Sequence, residues 1–314
     1  MSTVAQVAEN MSHSIDGSKS GFVAVLASRV ADYRQMARPR IMVMSAAAVI
    51  SGFVLASPIV ISWPVVWIAV VGICCLVAAS SILNQVIEAG TDLRMNRTAD
   101  RPVASGRISR VEAAGFGLLA SLIGAALLWR FVNQTTSIAA FCTMLSYVLL
   151  YTPLKRISSL CTTVGAVPGA MPPVLGWLAA GGEFGLEALA LFAVFFVWQF
   201  PHFLAIGWLY RDQYERAGLR MLPSFRDSGK RAGLIALLYA VAFVPVSILP
   251  RFAGLAGTGY LCAAFVLSGG YLWLTFRFCI ERNDLRARQL MVGSLLCLPA
   301  LLISLVLDYV RLTS

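Results

Sequence analysis

Residues 64–102 read PVVWIAVVGICCLVAASSILNQVIEAGTDLRMNRTADRP, and this stretch decides the kind of fold. Residues 64–84 carry no charge and are long enough to cross a bilayer as a helix, which needs about 20 apolar residues. Asn84, Glu88 and Asp92 then follow at intervals of four. Because residues four apart lie above one another on a helix, one amide and two carboxylates would share a face. The stretch predicts a membrane helix that ends in a polar cluster.

The composition of the whole chain agrees with a membrane protein. Of 314 residues, 59% are hydrophobic and only 13% are charged, whereas soluble domains carry about 25% charged residues. The sequence therefore predicts an all-α integral membrane protein with nine transmembrane helices. The predicted spans are 41–61, 64–84, 111–131, 135–151, 161–180, 186–209, 233–250, 254–276 and 290–310.

The net charge of +10 follows the predicted topology. Of the 25 basic residues, 22 fall in the N-terminal segment and in alternate loops, all on one side of the predicted membrane. By the positive-inside rule the N-terminus is cytoplasmic and the C-terminus lies outside. This distribution argues against nucleic-acid binding. Residues 1–20 are polar and resemble no signal or transit peptide, which predicts a disordered cytoplasmic tail before a single transmembrane domain at 21–314 in a bacterial inner membrane.

The polar cluster suggests the chemistry of the site. Carboxylates at the edge of a membrane segment are costly, so they favour a functional role. Mg²⁺ is usually held by a few carboxylates while it bridges substrate phosphates, and arginine is suited to binding phosphate oxygens. Arg97 and Arg101 follow the acids, and Asp212 lies in a second basic loop at 211–231. We therefore expect a diphosphate site at the membrane surface.

Two further segments contain candidate site residues. Lys155 and Arg156, in the segment YTPLKR, lie at the predicted membrane edge, where they would cover a diphosphate or merely follow the topology rule. His202 lies four residues after Trp198 and directly after Pro201. A proline break is typical of backbone that lines a cavity, so His202 is a candidate ligand or acid–base group as well as a candidate core residue.

With these motifs in place, the chain resembles the intramembrane prenyltransferases of the UbiA superfamily. The pattern N-x-x-x-E-x-x-x-D followed by R-M-x-R-T-x-x-R-P is similar to that superfamily's first acidic motif. The segments YTPLKR, G-A-x-P-P-x-x-G-W, W-Q-x-P-H-F and Y-R-x-x-Y-x-x-A-G-x-x-M-L-P resemble the branch of protohaem IX farnesyltransferases, or haem O synthases. The resemblance covers about residues 30–310 and implies nine helices around a central cavity.

The resemblance implies a reaction and the residues that perform it. C1 of farnesyl diphosphate would be joined to the 2-vinyl group of haem b with addition of water, giving haem O and diphosphate for haem–copper oxidase biogenesis. It implies Mg²⁺ as cofactor, and it leaves association with haem A synthase open. The implied catalytic and metal-binding residues are Asn84, Glu88, Asp92 and Asp212; the diphosphate-binding residues are Arg97, Arg101, Lys155 and Arg156; the haem-binding residues are His202 and Trp198.

Three alternatives stay open at this point. A prenyltransferase of the same fold would act on an aromatic acceptor in quinone or chlorophyll synthesis. A non-enzymatic haem carrier or oxidase-assembly factor would give the Asn84–Glu88–Asp92 cluster no purpose. A transporter would place its acids near the bilayer centre, whereas these lie at an edge.

Overall fold

The computed structural model describes residues 25–57, 60–219 and 229–313, and all regular structure in these ranges is helical. The predicted all-α class is confirmed. The predicted disordered tail at 1–20 lies outside the described residues. The helices are α1 (Val25–Ala37), α2 (Pro39–Leu55), α3 (Trp63–Asp92), α4 (Arg110–Phe131), α5 (Gln134–Leu154), α6 (Cys161–Ala179), α7 (Leu186–Leu209), α8 (Arg211–Arg216), α9 (Lys230–Phe252), α10 (Thr258–Glu281) and α11 (Asp284–Thr313).

Within the described ranges, seven of these helices are long and apolar enough to cross a membrane: α3, α4, α5, α7, α9, α10 and α11. The pair α1 and α2, which meet at a bend of 52°, raises the number to eight if it counts as one span. Each of the nine predicted segments contains a helix. The segment 161–180 forms α6, which has three internal prolines and does not reach the apolarity of the seven. The count of nine, the central cavity and the orientation of the termini stay predictions.

Helix α3 is longer than the predicted span at 64–84. Its 30 residues start with a proline in the first turn, where the missing N–H costs nothing, and continue to Asp92. The polar cluster therefore lies inside a helix, as its spacing predicts. After Leu93 the chain passes through turns to Ser109, whose side chain accepts a hydrogen bond from the backbone N–H of Glu112 and caps α4.

Two apolar cores share α2 and α6. One core lies between these helices and α3, α4 and α5, and the other lies between them and α7, α9, α10 and α11. The two shared helices touch backbone to backbone, because a Cβ on Gly52 would collide with the Pro173 carbonyl and one on Gly176 with the Val49 carbonyl. Glycines at such crossings permit close packing of membrane helices.

The basic segments converge at one end of the bundle. The loop after α3 contacts the segment after α7 through Arg97 and Tyr214, and the end of α3 contacts the end of α5 through Glu88 and Lys155. Contacts at the opposite end include the hydrogen bond from Asn133 Nδ2 to the Leu178 carbonyl. The polar end of α3 therefore lies beside three of the loops that the charge pattern predicts to share a side.

Helix α1 is tied to the loop after α3 by Arg107. Its guanidinium contacts the carboxylates of Asp32 at 2.8 Å and Asp100 at 2.7 Å, and it donates a hydrogen bond to Gln35 at 2.8 Å. Hydrogen bonds to Asp100 and to Asp32 raise the pKa of Arg107 above its ordinary value. The topology rule alone assigns Arg107 no partner, whereas in the structure it joins α1 to this loop, in addition to the contacts of Arg29 and Tyr33 with Glu112 of α4.

Candidate active site

The structure buries the three residues that the four-residue spacing puts on one face of α3. Counted as whole residues, Asn84 and Asp92 are each 1% exposed and Glu88 is 6% exposed. Buried carboxylates are costly without partners, so the neighbours of these side chains decide what the cluster can do.

Glu88 has a lysine as its partner. Lys155, at the end of α5, contacts the Glu88 carboxylate at 2.9 Å, and both side chains are 8% exposed. The ammonium also lies 4.4 Å from the centre of the Tyr151 ring. Burial by itself lowers the pKa of Lys155, but Tyr151 and Glu88 more than offset this, so the pKa is raised and the lysine stays charged. The pair places one positive charge deep in the site.

Asp92 has an arginine as its partner. The Nη1 of Arg101 contacts both carboxylate oxygens of Asp92, at 2.8 and 2.7 Å. The Thr98 hydroxyl donates to the backbone carbonyl of Asp92 at 2.9 Å, which holds the loop against the helix end. Burial lowers the pKa of Arg101, and the neighbouring charge of Arg38 lowers it further. A second cation therefore lies beside a second carboxylate of the cluster.

Asn84 leaves one oxygen without a partner. The Thr152 hydroxyl donates its proton to the Tyr147 carbonyl at 2.9 Å, so its 3.0 Å contact with Asn84 requires an N–H from the amide. This contact fixes the orientation of the Asn84 amide: Nδ2 faces Thr152, and Oδ1 points away from it. Oδ1 is buried without a hydrogen-bond partner in the part of the chain that the structure describes. An unpaired buried oxygen has a desolvation cost, which a cation ligand would remove.

This donor set fits Mg²⁺. The ion takes oxygen ligands and is usually held by one or two carboxylates together with substrate phosphates. Asn84 Oδ1 and the carboxylates of Glu88 and Asp92 supply such oxygens. Among the described residues no group of three or more histidine, cysteine, aspartate or glutamate side chains is placed to hold a metal.

The other two predicted diphosphate-binding residues contact neutral groups. Arg156 donates to the Thr91 hydroxyl at 3.0 Å and to the Ile87 carbonyl at 3.3 Å, both on α3. Arg97 lies 4.6 Å from the centre of the Tyr210 ring and donates to the Tyr214 hydroxyl at 3.1 Å. Arg97 thus has no carboxylate among its described contacts.

The second loop reaches the site through tyrosines. The sequence predicts Asp212 as a site residue, but its side chain is 78% exposed and its described ion-pair partner is the adjacent Arg211, at 3.8 Å. Tyr210 and Tyr214 make the contacts with Arg97 instead. Their spacing of four, the same as in the acidic cluster, is the signal that identifies them in the sequence. Residues 220–228 of this loop lie outside the described part.

His202 and Trp198 form a separate group inside α7. The two rings stack, with centroids 5.2 Å apart and planes 16° apart. Both bond to Ser294 of α11: His202 Nδ1 lies 2.6 Å from the hydroxyl, and Trp198 Nε1 donates to the backbone carbonyl at 3.1 Å. At about 1.5 Å per residue, His202 lies roughly 10 Å from the end of α7 and Asn84 roughly 12 Å from the end of α3. The two groups therefore lie at comparable distances from the ends of their helices.

Known proteins match this chain over most of its length. The model of the UbiA prenyltransferase family matches residues 44–303. A protein named protoheme IX farnesyltransferase from Solibacter usitatus is 41% identical over 76% of this chain and 82% of its own. A protein of the same name from Koribacter versatilis is 38% identical over 90% of this chain and 94% of its own.

Solved structures share the fold at low sequence identity. A digeranylgeranylglyceryl phosphate synthase superimposes with a TM-score of 0.75 at 17% identity, over 90% of this chain and 99% of that one. A UbiA homolog from Archaeoglobus fulgidus, bound to GPP and Mg²⁺, gives a TM-score of 0.59 at 16% identity, over 88% of this chain and 99% of that one. Since the family match and the curated relatives each cover most of the sequence, the chain is a multi-pass membrane protein that belongs to the UbiA prenyltransferase family.

Proposed function

We propose that this chain transfers the farnesyl group of farnesyl diphosphate to the 2-vinyl group of haem b, with addition of water, and releases haem O and diphosphate. Two relatives, 41% identical over 76% of this chain and 38% identical over 90% of it, carry the name protoheme IX farnesyltransferase. One observation in the structure carries the proposal: at the end of a membrane helix, each of two buried carboxylates pairs with a cation.

The cluster suits the diphosphate end of the substrate. Lys155 and Arg101 supply positive charge to its oxygens, and charge placed in a site of low dielectric stabilises a leaving anion far better than in water. Asn84, Glu88 and Asp92 would hold Mg²⁺, with Asp212 as the fourth ligand candidate. When bound, the ion adds positive charge that stabilises the departing diphosphate.

The reaction balances in three steps. The C1–oxygen bond of farnesyl diphosphate breaks, and its electron pair leaves with the diphosphate. The π electrons of the vinyl group form the new carbon–carbon bond to C1, which leaves a cation on the vinyl carbon next to the porphyrin ring. Water adds to that carbon and loses a proton, giving the hydroxyethylfarnesyl arm. The buried position of the cluster protects the first cation from early capture by water.

We propose that the allylic cation forms beside two aromatic rings. Tyr151 lies below the Lys155 ammonium, and Tyr147 packs against Tyr151 with ring centroids 5.0 Å apart. Aromatic faces stabilise a cation by roughly 0.5–2 kcal/mol each. We assign these two rings to the C1 end of the farnesyl chain, and Arg97 and Arg156 to the diphosphate end.

The second substrate belongs at α7. Trp198 and His202 lie in an apolar surrounding that includes Phe195 and Phe203, which suits a porphyrin better than a diphosphate. We also propose that the chain lies in a bacterial inner membrane. It would associate there with haem A synthase, which would consume haem O.

A product assay tests the proposal. The purified full-length chain is incubated with haem b, farnesyl diphosphate and Mg²⁺, and products are identified by mass spectrometry. Haem O supports the proposal. In parallel reactions, 4-hydroxybenzoate and a naphthoate replace haem b; a prenylated aromatic product without haem O would assign the chain to another branch of the family. Haem binding without any transfer would favour a carrier.

A further inference from the structure

We infer that His202 Nε2 is an axial ligand of the haem iron and that Ser294 is the residue that positions it by fixing the imidazole tautomer. This inference rests on the proposed function, because it takes haem b as the molecule bound at α7. It adds a residue on another helix, 92 positions away, to the haem site.

The positions of two protons follow from two short contacts. Ser294 Oγ lies 2.6 Å from the Met291 carbonyl oxygen and 2.6 Å from His202 Nδ1. Each contact is short enough to need a proton between its two atoms. The carbonyl has no proton, so the single hydroxyl proton of Ser294 goes to it. The second contact must then use a proton on Nδ1, and the serine oxygen accepts it.

This arrangement leaves Nε2 with a free lone pair. In a neutral imidazole one nitrogen is the donor and the other the acceptor. No carboxylate contacts His202 in the described ranges, so nothing there compensates a doubly protonated ring. Nε2 has no hydrogen-bond partner among those residues either. A neutral imidazole nitrogen is the usual histidine donor to haem iron.

The ring is also held in place for such a bond. Trp198 stacks on it and donates to the backbone carbonyl of the same Ser294. Tyr271 of α10 donates to the Trp198 carbonyl at 2.9 Å, and Ser294 itself is fully buried. Helices α7, α10 and α11 thus fix the plane of the imidazole. A histidine that ligates a metal usually donates its other N–H to an acceptor that sets the tautomer and orientation.

The test is the spectrum of bound haem in the full-length protein. We expect the wild type to show an iron–histidine stretch in the ferrous resonance Raman spectrum. His202→Gly should lose this band, and added imidazole should restore it. Ser294→Ala should weaken haem binding by roughly tenfold to a hundredfold and shift the band, whereas Ser294→Thr, which keeps the hydroxyl, should retain both. Ser268→Ala is the matched control, because Ser268 is fully buried and its hydroxyl also bonds a carbonyl three residues back in its helix.

An unchanged band and affinity in Ser294→Ala would overturn the role of Ser294, and an unchanged spectrum in His202→Gly would overturn the ligation. Transfer is measured on the same samples. Haem O formation without an iron–histidine band would refute this inference and leave the proposed function intact. An iron–histidine band without haem O formation would refute the proposed function and support the ligation of haem iron by His202.

Discussion

Glu88 and Lys155 show how single residues in this site serve two purposes. Their ion pair is almost completely buried, so each side chain needs the other for the fold. Removing one partner of such a pair costs roughly 3–5 kcal/mol of stability, because it leaves an uncompensated charge, whereas neutral partners of similar volume are often tolerated. Comparing removal of one partner with neutral replacement of both therefore distinguishes the contribution of the pair to stability from its contribution to catalysis.

Lys155→Met should lower both the thermal unfolding midpoint and the rate of haem O formation. The double variant Glu88→Gln/Lys155→Met should recover the midpoint, because no charge is left unpaired. Its turnover should stay at least about a hundredfold below wild type, since a charge aimed at the leaving group is gone. Scanning calorimetry and the product assay measure the two quantities. Near-normal turnover by the double variant would remove the pair from the mechanism.

Asp92→Ala should abolish farnesyl diphosphate binding in Mg²⁺ and leave haem binding largely intact. Asp92 contributes a carboxylate to the cluster and holds Arg101 in place, whereas the residues proposed to bind haem, Trp198 and His202, lie on α7. Titration calorimetry with each substrate measures the effect. Glu183→Gln, an exposed acid in the turn before α7, is the control and should bind both substrates normally. Retained diphosphate affinity in Asp92→Ala would place the diphosphate elsewhere.

The sequence predicts the members of the cluster but not their partners. Asn84, Glu88 and Asp92 are four apart within one helix, a pattern visible in any short window. Thr152 and Ser294, which orient Asn84 and His202, are 68 and 92 residues away from them, and nothing local marks either. Asp212 matches the family pattern, but it is exposed in the structure. It lies on the short helix α8, whose buried residue is Tyr214.

At the scale of elements, the end of α5 sets the position of Lys155. Residues Ser146–Tyr151 form a π-helical turn, a type often found at functional sites. It brings Tyr151 against Gly165 of α6, where an added methyl would lie 2.5 Å from the ring. The glycines of α6 are visible in the sequence, but the local change of helical period in α5 has no sequence signal.

Gly165→Ala should therefore impair turnover by displacing Tyr151, and with it the Lys155 ammonium that lies over the ring. We expect at least a tenfold fall in turnover, about 1.4 kcal/mol of transition-state stabilisation, with a smaller loss of haem affinity. Gly115→Ala in α4 is the matched control, because a Cβ there meets no atom within 4 Å and helical alanine is preferred to glycine. Equal turnover by the two variants would show that Tyr151 does not position the lysine.

At the scale of the whole molecule, two cores share α2 and α6, and the basic loops meet at one end. Hydrophobic runs predict where the helices lie. The number of spans is harder to predict, because α6 combines three prolines with many small residues and α2 has only 17 residues. The lateral arrangement depends on contacts such as Gly52 with Pro173, which no local pattern specifies.

The orientation of the bundle is testable by cysteine labelling. In a background without the seven native cysteines, Ser105→Cys in the loop after α3 should resist an impermeant thiol reagent added to intact cells. Glu183→Cys, in the turn between α6 and α7, should react. The expectation follows from the positive-inside rule and from a diphosphate head that would not cross the bilayer unaided. Labelling of the Ser105 position from outside would show that the bundle has the opposite orientation.

The central claim is tested most directly by the product of a single turnover. Purified protein, haem b, farnesyl diphosphate and Mg²⁺ are mixed in water enriched in heavy oxygen, and the porphyrin product is analysed by mass spectrometry. The account predicts haem b that has gained one farnesyl group and one hydroxyl with oxygen from the solvent, and no product from Asp92→Ala. Unmodified haem b, or a farnesylated haem without solvent-derived oxygen, would contradict it.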